Sequence, residues 1–402
     1  MNPQIYPSHI QLIIYIIIMT YFNFPHIEED DNLKNLRNDV KSFLKTTFNS
    51  YNIKPQADAW MYSANPEFSK KLGEKGWLGM SFPKKYGGRE KTMLERYVIT
   101  EELLVAGAPV AAHWIADRQS GSQIIRYGTE EQKKKIIPKI SSGECFFAIG
   151  MSEPDSGSDL ASVKTFAKKT ENGWELTGRK IWSTGAHLSH YMIVLARTEK
   201  LDEKNRHSGL SQFLVNLKLP GVEINPIEDM THQKHFNETV FNNVKLNKDA
   251  LLGEEGMGWQ QVVGELALER SGPERFLSHY ILLDNFISEF RYKMSEMGIT
   301  SLGKIISELQ TLRMMSFSIA WMIQEKKSPD VQAAFVKEAG NVFEKKLIET
   351  IREMSNLIPF EEWSSSLKSL FQDATLRIPA NSLRGGTSEI MRGIISKQLG
   401  LR

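Results

Sequence analysis

The spacing of apolar residues changes twice along this sequence, and these changes limit the folds that it can adopt. Over residues 31–143 apolar side chains such as Leu94 and Tyr97 recur at helical spacing. Over residues 145–247 short apolar runs alternate with turn residues, which is typical of β-strands. Helical spacing returns after Gly258. The sequence therefore predicts an α+β protein in which a β region separates two helical regions.

The central region contains a hairpin signal and several short strands. Asn172-Gly173 is the dipeptide most typical of a tight β-hairpin turn, and apolar runs flank it on both sides. The predicted strands are residues 145–150, 165–169, 174–179, 191–197 and 212–217.

The last region predicts a helical bundle. One helix shows an apolar face that would lie in the bundle core. The residues assigned to this face are Phe335, Ala339, Val342, Phe343, Leu347 and Ile351. Residues 357–370 form either a loop or a broken helix.

The length of 402 residues suits two or three domains of about 150 residues. Lys and Arg number 50 and Asp and Glu 48, so the net charge of +2 gives no basic surplus for binding nucleic acid. The single cysteine, Cys145, excludes a disulfide framework and a thiolate zinc site, and no metal site is predicted. The expected divisions are an extension at 1–30, a helical domain at 31–144, a β domain at 145–248 and a helical domain at 249–402.

An apolar stretch near the N-terminus, residues 10–22, is too short to cross a bilayer and lacks a basic region before it. It is either an upstream extension, with the true start at Met19, or a segment that packs on the protein or touches a membrane. Because no arginine-rich, acid-poor presequence is present, we expect a cytoplasmic location.

Two turn-rich segments follow predicted strands and carry small hydrogen-bonding side chains. Residues 151–159 contain several hydroxyls, and residues 180–185 place Trp182 beside Ser183 and Thr184. Donors and an aromatic ring at a sheet edge suit a planar heteroaromatic ligand with carbonyl acceptors, such as a flavin or a nucleobase. The alternative interpretation is a solvated turn and a core tryptophan.

The sequence resembles the acyl-CoA dehydrogenases over nearly the whole chain after about residue 30. Six segments in family order carry this resemblance. They are Gly76-Trp77-Leu78-Gly79 with residues 83–88, Tyr127-Gly128-Thr129-Glu130-Glu131-Gln132, Ser152-Glu153-Pro154, Trp182-Ser183-Thr184, Leu252-Gly253-Glu254-Glu255-Gly256, and Gly386-Thr387-Ser388-Glu389-Ile390. The resemblance implies the family's three-domain fold: an N-terminal helical domain, a β-barrel-like middle domain and a C-terminal helical bundle.

The resemblance also implies FAD as cofactor and α,β-dehydrogenation of an acyl-CoA thioester, in which a carboxylate takes the α-proton and the β-hydride passes to flavin N5. By this analogy Ser152 bonds the flavin pyrimidine edge, Trp182 packs on the ring, and Thr184 lies near N5 and O4. Met151 and Ser183 adjoin these positions and belong to the same predicted site. Ser158 matches a residue of the thioester and pantetheine channel. Thr387 and Glu389 match positions that touch FAD.

The position of the catalytic base differs among members of this family. Many place it directly before Gly-Thr-Ser, where this chain has Gly385, whose backbone N–H could still bind the thioester oxygen. Isovaleryl- and long-chain-type members carry it on the first long helix after the β domain, immediately before an arginine. Leu268-Glu269-Arg270 matches that pattern, so we predict Glu269 as the base and Arg270 as a residue that orients it. The alternative is a surface pair in which Arg270 bridges to Glu274.

Two family features are missing from the last region. An arginine that reaches the FAD pyrophosphate corresponds to Ile299, and a Gln-x-x-Gly-Gly-x-Gly stretch is absent. Arg291, Arg313 or Arg384 could supply substitute charge. The expected partners are an acyl-CoA, an electron-transferring flavoprotein and further subunits in a homo- or hetero-oligomer. The alternatives are a non-catalytic or FAD-sharing subunit of a hetero-oligomeric dehydrogenase, and an acyl-CoA oxidase.

Overall fold

A computed structural model describes residues 22–269 and 272–401, and the side chains of residues 265–269 lie outside this description. The predicted order of a helical region, a β region and a helical region is confirmed. Among the described residues, no helix combines the length and the apolar character that crossing a membrane requires.

The N-terminal helices begin at polar caps. The Asp30 carboxylate accepts a hydrogen bond from the Leu33 N–H, while Thr92 and Thr129 each open a helix through a reciprocal capping box. A π-helical turn, Ala116–Ser120, separates two of the helices. The helices are α1 (Asp31–Tyr51), α2 (Ala59–Tyr62), α3 (Pro66–Glu74), α4 (Met93–Val105), α5 (Ala111–Ile115), α6 (Gly121–Tyr127) and α7 (Glu130–Ser141).

The middle region forms one sheet. The strands are β1 (Phe147–Gly150), β2 (Phe166–Thr170), β3 (Gly173–Lys180), β4 (Tyr191–Arg197), β5 (Leu210–Asn216), β6 (Val222–Ile227), β7 (Phe236–Asn247) and β8 (Leu251–Leu252). They lie in the order β6-β7-β3-β2-β4-β5-β8, and β1 pairs in parallel with β4. The predicted hairpin is confirmed, because β2 and β3 are antiparallel and Thr170 lies opposite Gly173. Strands β6, β7 and β8 were not individually predicted from the sequence.

The C-terminal region contains six described helices. They are α8 (Gly258–Glu269), α9 (Tyr280–Phe290), α10 (Glu296–Gln324), α11 (Asp330–Met354), α12 (Ser365–Arg377) and α13 (Ser388–Gln398). Their core is continuous with that of the N-terminal helices, since Trp60, Leu72, Phe276 and Phe286 belong to one buried cluster. The sheet has a separate core that includes Trp174 and Phe213 packed edge to face. Two helical regions that share one core thus pack beside a sheet with its own core.

The predicted apolar face of α11 is wrong at one position. Phe343, Leu347 and Ile351 are buried as expected, but Val342 is 56% exposed. Consecutive residues on a helix are about 100° apart, so Val342 and Phe343 cannot both lie at the centre of one face. Of residues 357–370, a short 3₁₀ turn occupies Phe360–Glu362 and α12 begins at Ser365.

The described part of the N-terminal segment packs on the helical core. The rings of Phe22 and Phe24 contact Phe335 on α11, with centroid separations of 5.2 and 6.5 Å. Further along, Glu29 pairs with Arg37 and Arg313, and so joins the segment to α1 and α10. Residues 1–21, which include most of the apolar stretch, lie outside the described residues.

The buried imidazole of His113 on α5 should make stability depend on pH. Its Nδ1 lies 2.8 Å from Ser69 Oγ on α3, and burial lowers the His113 pKa from 6.5 to about 4. The unfolded chain binds a proton on this histidine below about pH 6.5, whereas the folded protein does so only near pH 4. The free energy of unfolding should therefore fall as the pH is lowered through this interval, by at most about 1.4 kcal/mol per pH unit.

Urea unfolding at a series of pH values tests this expectation. In His113→Gln the free energy of unfolding should fall less steeply with decreasing pH than in the original protein, because the titrating group is gone. His26 is exposed, so His26→Gln should show the same pH dependence as the original protein. Equal slopes in all three proteins would contradict a neutral His113 in the folded state.

Candidate active site

A cavity of about 430 Å³, here called the central cavity, lies where the sheet meets both helical regions. The sheet supplies residues that follow β1 and β3, the N-terminal helices supply mainly aromatic and apolar residues, and the C-terminal region supplies the segment before α13. Its lining residues are Trp60, Met61, Ala111, Trp114, Ile115, Gln119, Ile149, Met151, Ser152, Ile181, Trp182, Thr184, Phe236, Ala380, Leu383, Arg384 and Gly385. The structure therefore brings together five predicted residues: Met151, Ser152, Trp182, Thr184 and Gly385.

A buried ion pair fixes the segment that carries Ser152. The Lys180 ammonium at the end of β3 donates to Glu153 at 2.8 Å and to the Met151 carbonyl at 2.9 Å. The other Glu153 contacts are the backbone N–H groups of Lys164 and Thr165, at 2.7 and 2.9 Å. The Ile181 N–H donates to the Ser152 carbonyl at 2.9 Å. These bonds hold the turn after β1 against the end of β3.

Burial and charge act in opposite directions on this pair. Burial raises the Glu153 pKa, but the attraction and hydrogen bond of Lys180, together with the hydrogen bonds from Thr165 and Lys164, outweigh burial, so that the pKa lies below its usual value. For Lys180, burial dominates and lowers the pKa to about 8. At neutral pH both groups are charged, and each needs the other to remain buried.

Trp182 lies in a strained conformation at the cavity. Its φ is +59°, a left-handed value that is rare for a bulky side chain. Its indole is 54% exposed and meets the edge of Phe236 at a centroid distance of 5.7 Å. Strained, exposed aromatic residues are more typical of ligand sites than of cores. The alternative of a core tryptophan is therefore wrong.

The residues after Trp182 alternate between two surroundings. Ser183 is buried and does not line the cavity. Its N–H donates to the Asn237 carbonyl at 3.0 Å. Thr184 does line it. Within the described part of the chain, the hydroxyls of Ser152 and Thr184 make no hydrogen bond, and both remain available to a ligand. This set of donors beside an exposed indole fits the edge of a flavin ring.

Gly385 belongs to a segment packed against arginines. Its φ is +63°, and a Cβ at this position would lie 3.3 Å from Arg275 Nη2. The Trp60 ring contacts both Arg275 and Arg384, whose guanidinium carbons are 5.7 and 4.9 Å from its centroid. Arg384 also donates to Asp58 at 2.8 Å. At the position directly before Gly386, the chain thus has a glycine next to a guanidinium and no side chain that could act as a base.

Several predicted residues lie elsewhere. Ser158 lines a separate open pocket of about 500 Å³ together with Arg206, His207 and Trp259. Thr387 caps α13, where its hydroxyl accepts from the Ile390 N–H, and Glu389 is exposed in the first turn of that helix. Neither lines the central cavity of this protomer.

The predicted base lies at the limit of the description. Helix α8 ends at Glu269, whose side chain lies outside the described residues, and Arg270 lies outside them altogether. Gly272 and Pro273 follow, and Pro273 opens a 3₁₀ turn instead of continuing α8. The alternative, a surface ion pair between Arg270 and Glu274, is wrong about Glu274. Its side chain is 1% exposed and accepts a hydrogen bond from Arg118 at 3.2 Å.

The cavity walls that the N-terminal helices contribute were not predicted from the sequence. Trp60, Trp114 and Gln119 carry no motif, and Phe236 lies at the start of the unpredicted strand β7. No spacing in the sequence marks them as cavity residues, because each reaches the site through packing of distant elements.

The arginine suggested as replacement charge at position 313 is already engaged. Arg313 donates to Glu101 at 2.7 Å and also pairs with Glu29. Ile299, at the position of the missing family arginine, is 57% exposed near the start of α10. Of the other two arginines, Arg291 packs over the ring of Tyr292, while Arg384 lines the central cavity.

Comparisons with known proteins agree with this architecture. The profile of the acyl-CoA dehydrogenase N-terminal domain matches residues 30–144, and that of the acyl-CoA dehydrogenase middle domain matches residues 148–244. The acyl-CoA dehydrogenase IpdE1 of Mycolicibacterium smegmatis is 30% identical over 370 residues, covering 83% of this chain and 87% of that protein. The mitochondrial long-chain specific acyl-CoA dehydrogenase of Rattus norvegicus is 28% identical over 359 residues, covering 83% and 79%.

A solved structure extends the comparison over the last region. A chain of the ChsE4-ChsE5 complex from Mycobacterium tuberculosis matches with a TM-score of 0.78 and 25% identity, covering 94% of this chain and 100% of that chain.

The ion pair between Glu153 and Lys180 should contribute strongly to stability. Lys180→Met leaves a buried carboxylate without its cation, so the free energy of unfolding should fall by about 3 kcal/mol. Urea denaturation would measure the loss. Glu153→Gln combined with Lys180→Met should recover part of it, because no unpaired charge remains.

Lys164→Met is the matched control, because its ammonium pairs with Asp155 on the surface and is 77% exposed. That variant should behave like the original protein. A Lys180→Met protein as stable as this control would contradict the proposed role of the pair.

Proposed function

The chain belongs to the acyl-CoA dehydrogenase family of oxidoreductases, and we propose that it dehydrogenates an acyl-CoA thioester between Cα and Cβ with bound FAD and Glu269 as the base. Acyl-CoA dehydrogenation in general follows from the family. The observation that carries the finer proposal is the central cavity, which joins the hydroxyls of Ser152 and Thr184, the exposed indole of Trp182 and the backbone of Gly385.

The residues of the sheet would hold the cofactor. Ser152 and Thr184 offer hydroxyl donors to carbonyl and ring-nitrogen acceptors, and Trp182 offers an aromatic surface for the ring to pack against. Met151 adds an apolar contact, and the buried Ser183 backbone holds the neighbouring residues in place. When bound, FAD supplies an acceptor for the two electrons and the β-hydrogen of the substrate.

The base is assigned to Glu269. The described residues that line the central cavity include no aspartate or glutamate. Gly385 has no side chain to act as a base, and a carboxylate there would meet the Arg275 guanidinium. Helix α8 ends at Glu269, a few residues before Gly272 and Pro273 at the edge of the site. A base removed from water would have the raised pKa that this proton transfer requires.

The weak acidity of the α-proton makes stabilisation of the thioester oxygen necessary. Gly385 lines the cavity and retains a backbone N–H for this purpose. Arg270, which follows Glu269 in the sequence, would orient it. Ser158 would act further out, along the pantetheine arm of the substrate, and its separate open pocket is consistent with that position.

Partners complete the proposal. Electrons would pass to an electron-transferring flavoprotein, and the chain would assemble as a homo- or hetero-oligomer in which Thr387 and Glu389 contact FAD. The exposed Ile299 favours a second candidate, a subunit that shares FAD sites with a different chain. The structurally similar ChsE4-ChsE5 complex is itself an assembly of two different chains.

Glu269→Gln should retain flavin and thioester binding but lower the rate of flavin bleaching by several orders of magnitude, because the amide cannot accept the α-proton. The measurement is the visible absorption of the purified protein with FAD, followed anaerobically as short, long, branched and steroid-like acyl-CoA thioesters are added.

Glu353→Gln on the exposed face of α11 is the matched control and should bleach normally. Near-normal bleaching by Glu269→Gln would transfer the role to Glu265 or Glu274. A protein that stays colourless with added FAD would favour the FAD-sharing subunit instead.

Replacement of Trp182 should separate its cofactor role from its structural role. Trp182→Gly should lower flavin occupancy, because the packing surface is lost. Relief of the positive-φ strain, about 1 kcal/mol, should offset part of the stability lost with the Phe236 contact, so the flavin-free protein should keep most of its stability. Flavin content and urea denaturation measure the two effects. Unchanged occupancy would contradict the position proposed for the flavin ring.

A further inference from the structure

A second cavity, of about 210 Å³, adjoins the central cavity and is here called the arginine-lined cavity. Trp114 and Gln119 line both, so these two side chains form the partition between them. Gly272 and Pro273, which follow the end of α8, line the arginine-lined cavity as well. An acyl chain that leaves the central cavity past the end of α8 would enter this space.

The wall of this cavity is more polar than an alkyl chain requires. Arg96 on α4 and Arg118 in the π-helical turn both line it, together with the hydroxyl-bearing residues Ser81, Ser122 and Ser316. The carbon skeleton of a substrate would meet the apolar residues of the same wall, which are Met93, Trp114, Pro273, Ala320 and Ile323.

Each of the two arginines has N–H groups that make no hydrogen bond to the described residues. Among the described residues, Arg96 uses only Nη2, which donates to the Asp117 carbonyl at 3.2 Å and lies 3.6 Å from its carboxylate. Arg118 uses Nη1 toward Thr100 and Nη2 toward Glu274, both at 3.2 Å. The Nε and Nη1 groups of Arg96 and the Nε of Arg118 remain as donors.

An alkyl chain packed against these arginine N–H groups would be unfavourable, because it offers them no acceptor. The side chains of Arg96 and Arg118 are only 14% and 15% exposed, so a hydrocarbon that filled the cavity would remove most of their remaining water. A desolvated N–H without an acceptor destabilises a complex, and a bond from a charged donor to an acceptor stabilises it. The wall is therefore matched to a group that carries acceptor oxygens.

We propose that the arginine-lined cavity binds the far end of the acyl group and selects substrates in which that end bears a ketone or a carboxylate. This inference rests on the proposed function, because it takes the thioester to lie against Gly385. Arg96 is then a specificity-determining residue. Asp117 and Glu274 neutralise part of the local positive charge, so a neutral ketone and an anionic carboxylate share the chemistry that the wall recognises.

The test uses three thioesters of equal chain length that end in a methyl group, a methyl ketone or a carboxylate. Dissociation constants are measured by calorimetry on the FAD-loaded protein, and flavin bleaching is followed separately. We expect at least one of the two oxygenated thioesters to bind about tenfold or more tightly than the methyl-terminated one. Tighter binding of the carboxylate alone would identify charge as the main source of the preference. Tighter binding of both oxygenated thioesters would identify hydrogen bonding from the arginine N–H groups as its source.

Two variants test which residue causes the preference for oxygenated thioesters. Arg96→Gln should remove most of the difference while leaving affinity for the methyl-terminated thioester within a few fold. Arg352→Gln, an exposed arginine on α11 that pairs with Glu349, should keep the original preference. Should Arg96→Gln fail to fold, the preference of the original protein among the three thioesters still decides the question.

The outcomes separate this inference from the proposed function. If the methyl-terminated thioester binds as tightly as the others and bleaches the flavin, the inference is overturned and the dehydrogenation stands. If oxygenated thioesters bind preferentially but none bleaches the flavin, the cavity assignment is supported and the dehydrogenation fails. A preference that survives in Arg96→Gln would overturn the role of Arg96.

Discussion

The ion pair between Glu153 and Lys180 determines where the sheet part of the site lies. Lys180 ends β3, and Glu153 belongs to the turn after β1, so their contact joins the ends of two strands that are not neighbours in the sheet. Glu153 also accepts hydrogen bonds from the backbone N–H groups of Lys164 and Thr165, and Lys180 donates to the Met151 carbonyl. These bonds align the backbone on both sides of the ion pair. Ser152 and Trp182, each close in sequence to a member of the pair, are thereby presented to one cavity. Burial holds this arrangement in place, since loss of either charge would leave the other buried without a partner.

A second constraint acts from the helical side. The Trp60 ring contacts the guanidinium groups of both Arg275 and Arg384, and Asp58 pairs with Arg384. This arrangement brings α2, the turn before α9 and the segment before α13 to the same place. It also explains why glycine at position 385 is suited to this chain, since a side chain there would press against Arg275. In the proposed mechanism, Gly385 and Glu269 are complementary, because α8 supplies the base that the segment before α13 does not.

Local patterns predicted most of the fold. The short apolar runs and the Asn172-Gly173 turn identified β1 to β5, because apolar runs bounded by turn residues and hairpin geometry depend on neighbours a few residues apart. The pattern was less informative on α11, where Val342 and Phe343 are both apolar and only packing decided which one is buried. For the site, Ser152, Trp182 and Thr184 could be placed from the sequence because each lies beside a strand end with a recognisable motif.

The sequence by itself therefore determined the order of helical and β regions, the hairpin, and the two turns that carry the sheet residues of the site, since all of these follow from short-range periodicity and turn chemistry. Only the tertiary structure decided that Trp60, Trp114 and Arg384 enclose the cavity, and that Arg96 and Arg118 line the space beyond it. The physical reason is that these contacts join residues far apart in the chain, and their pairing depends on how the helices pack on the sheet.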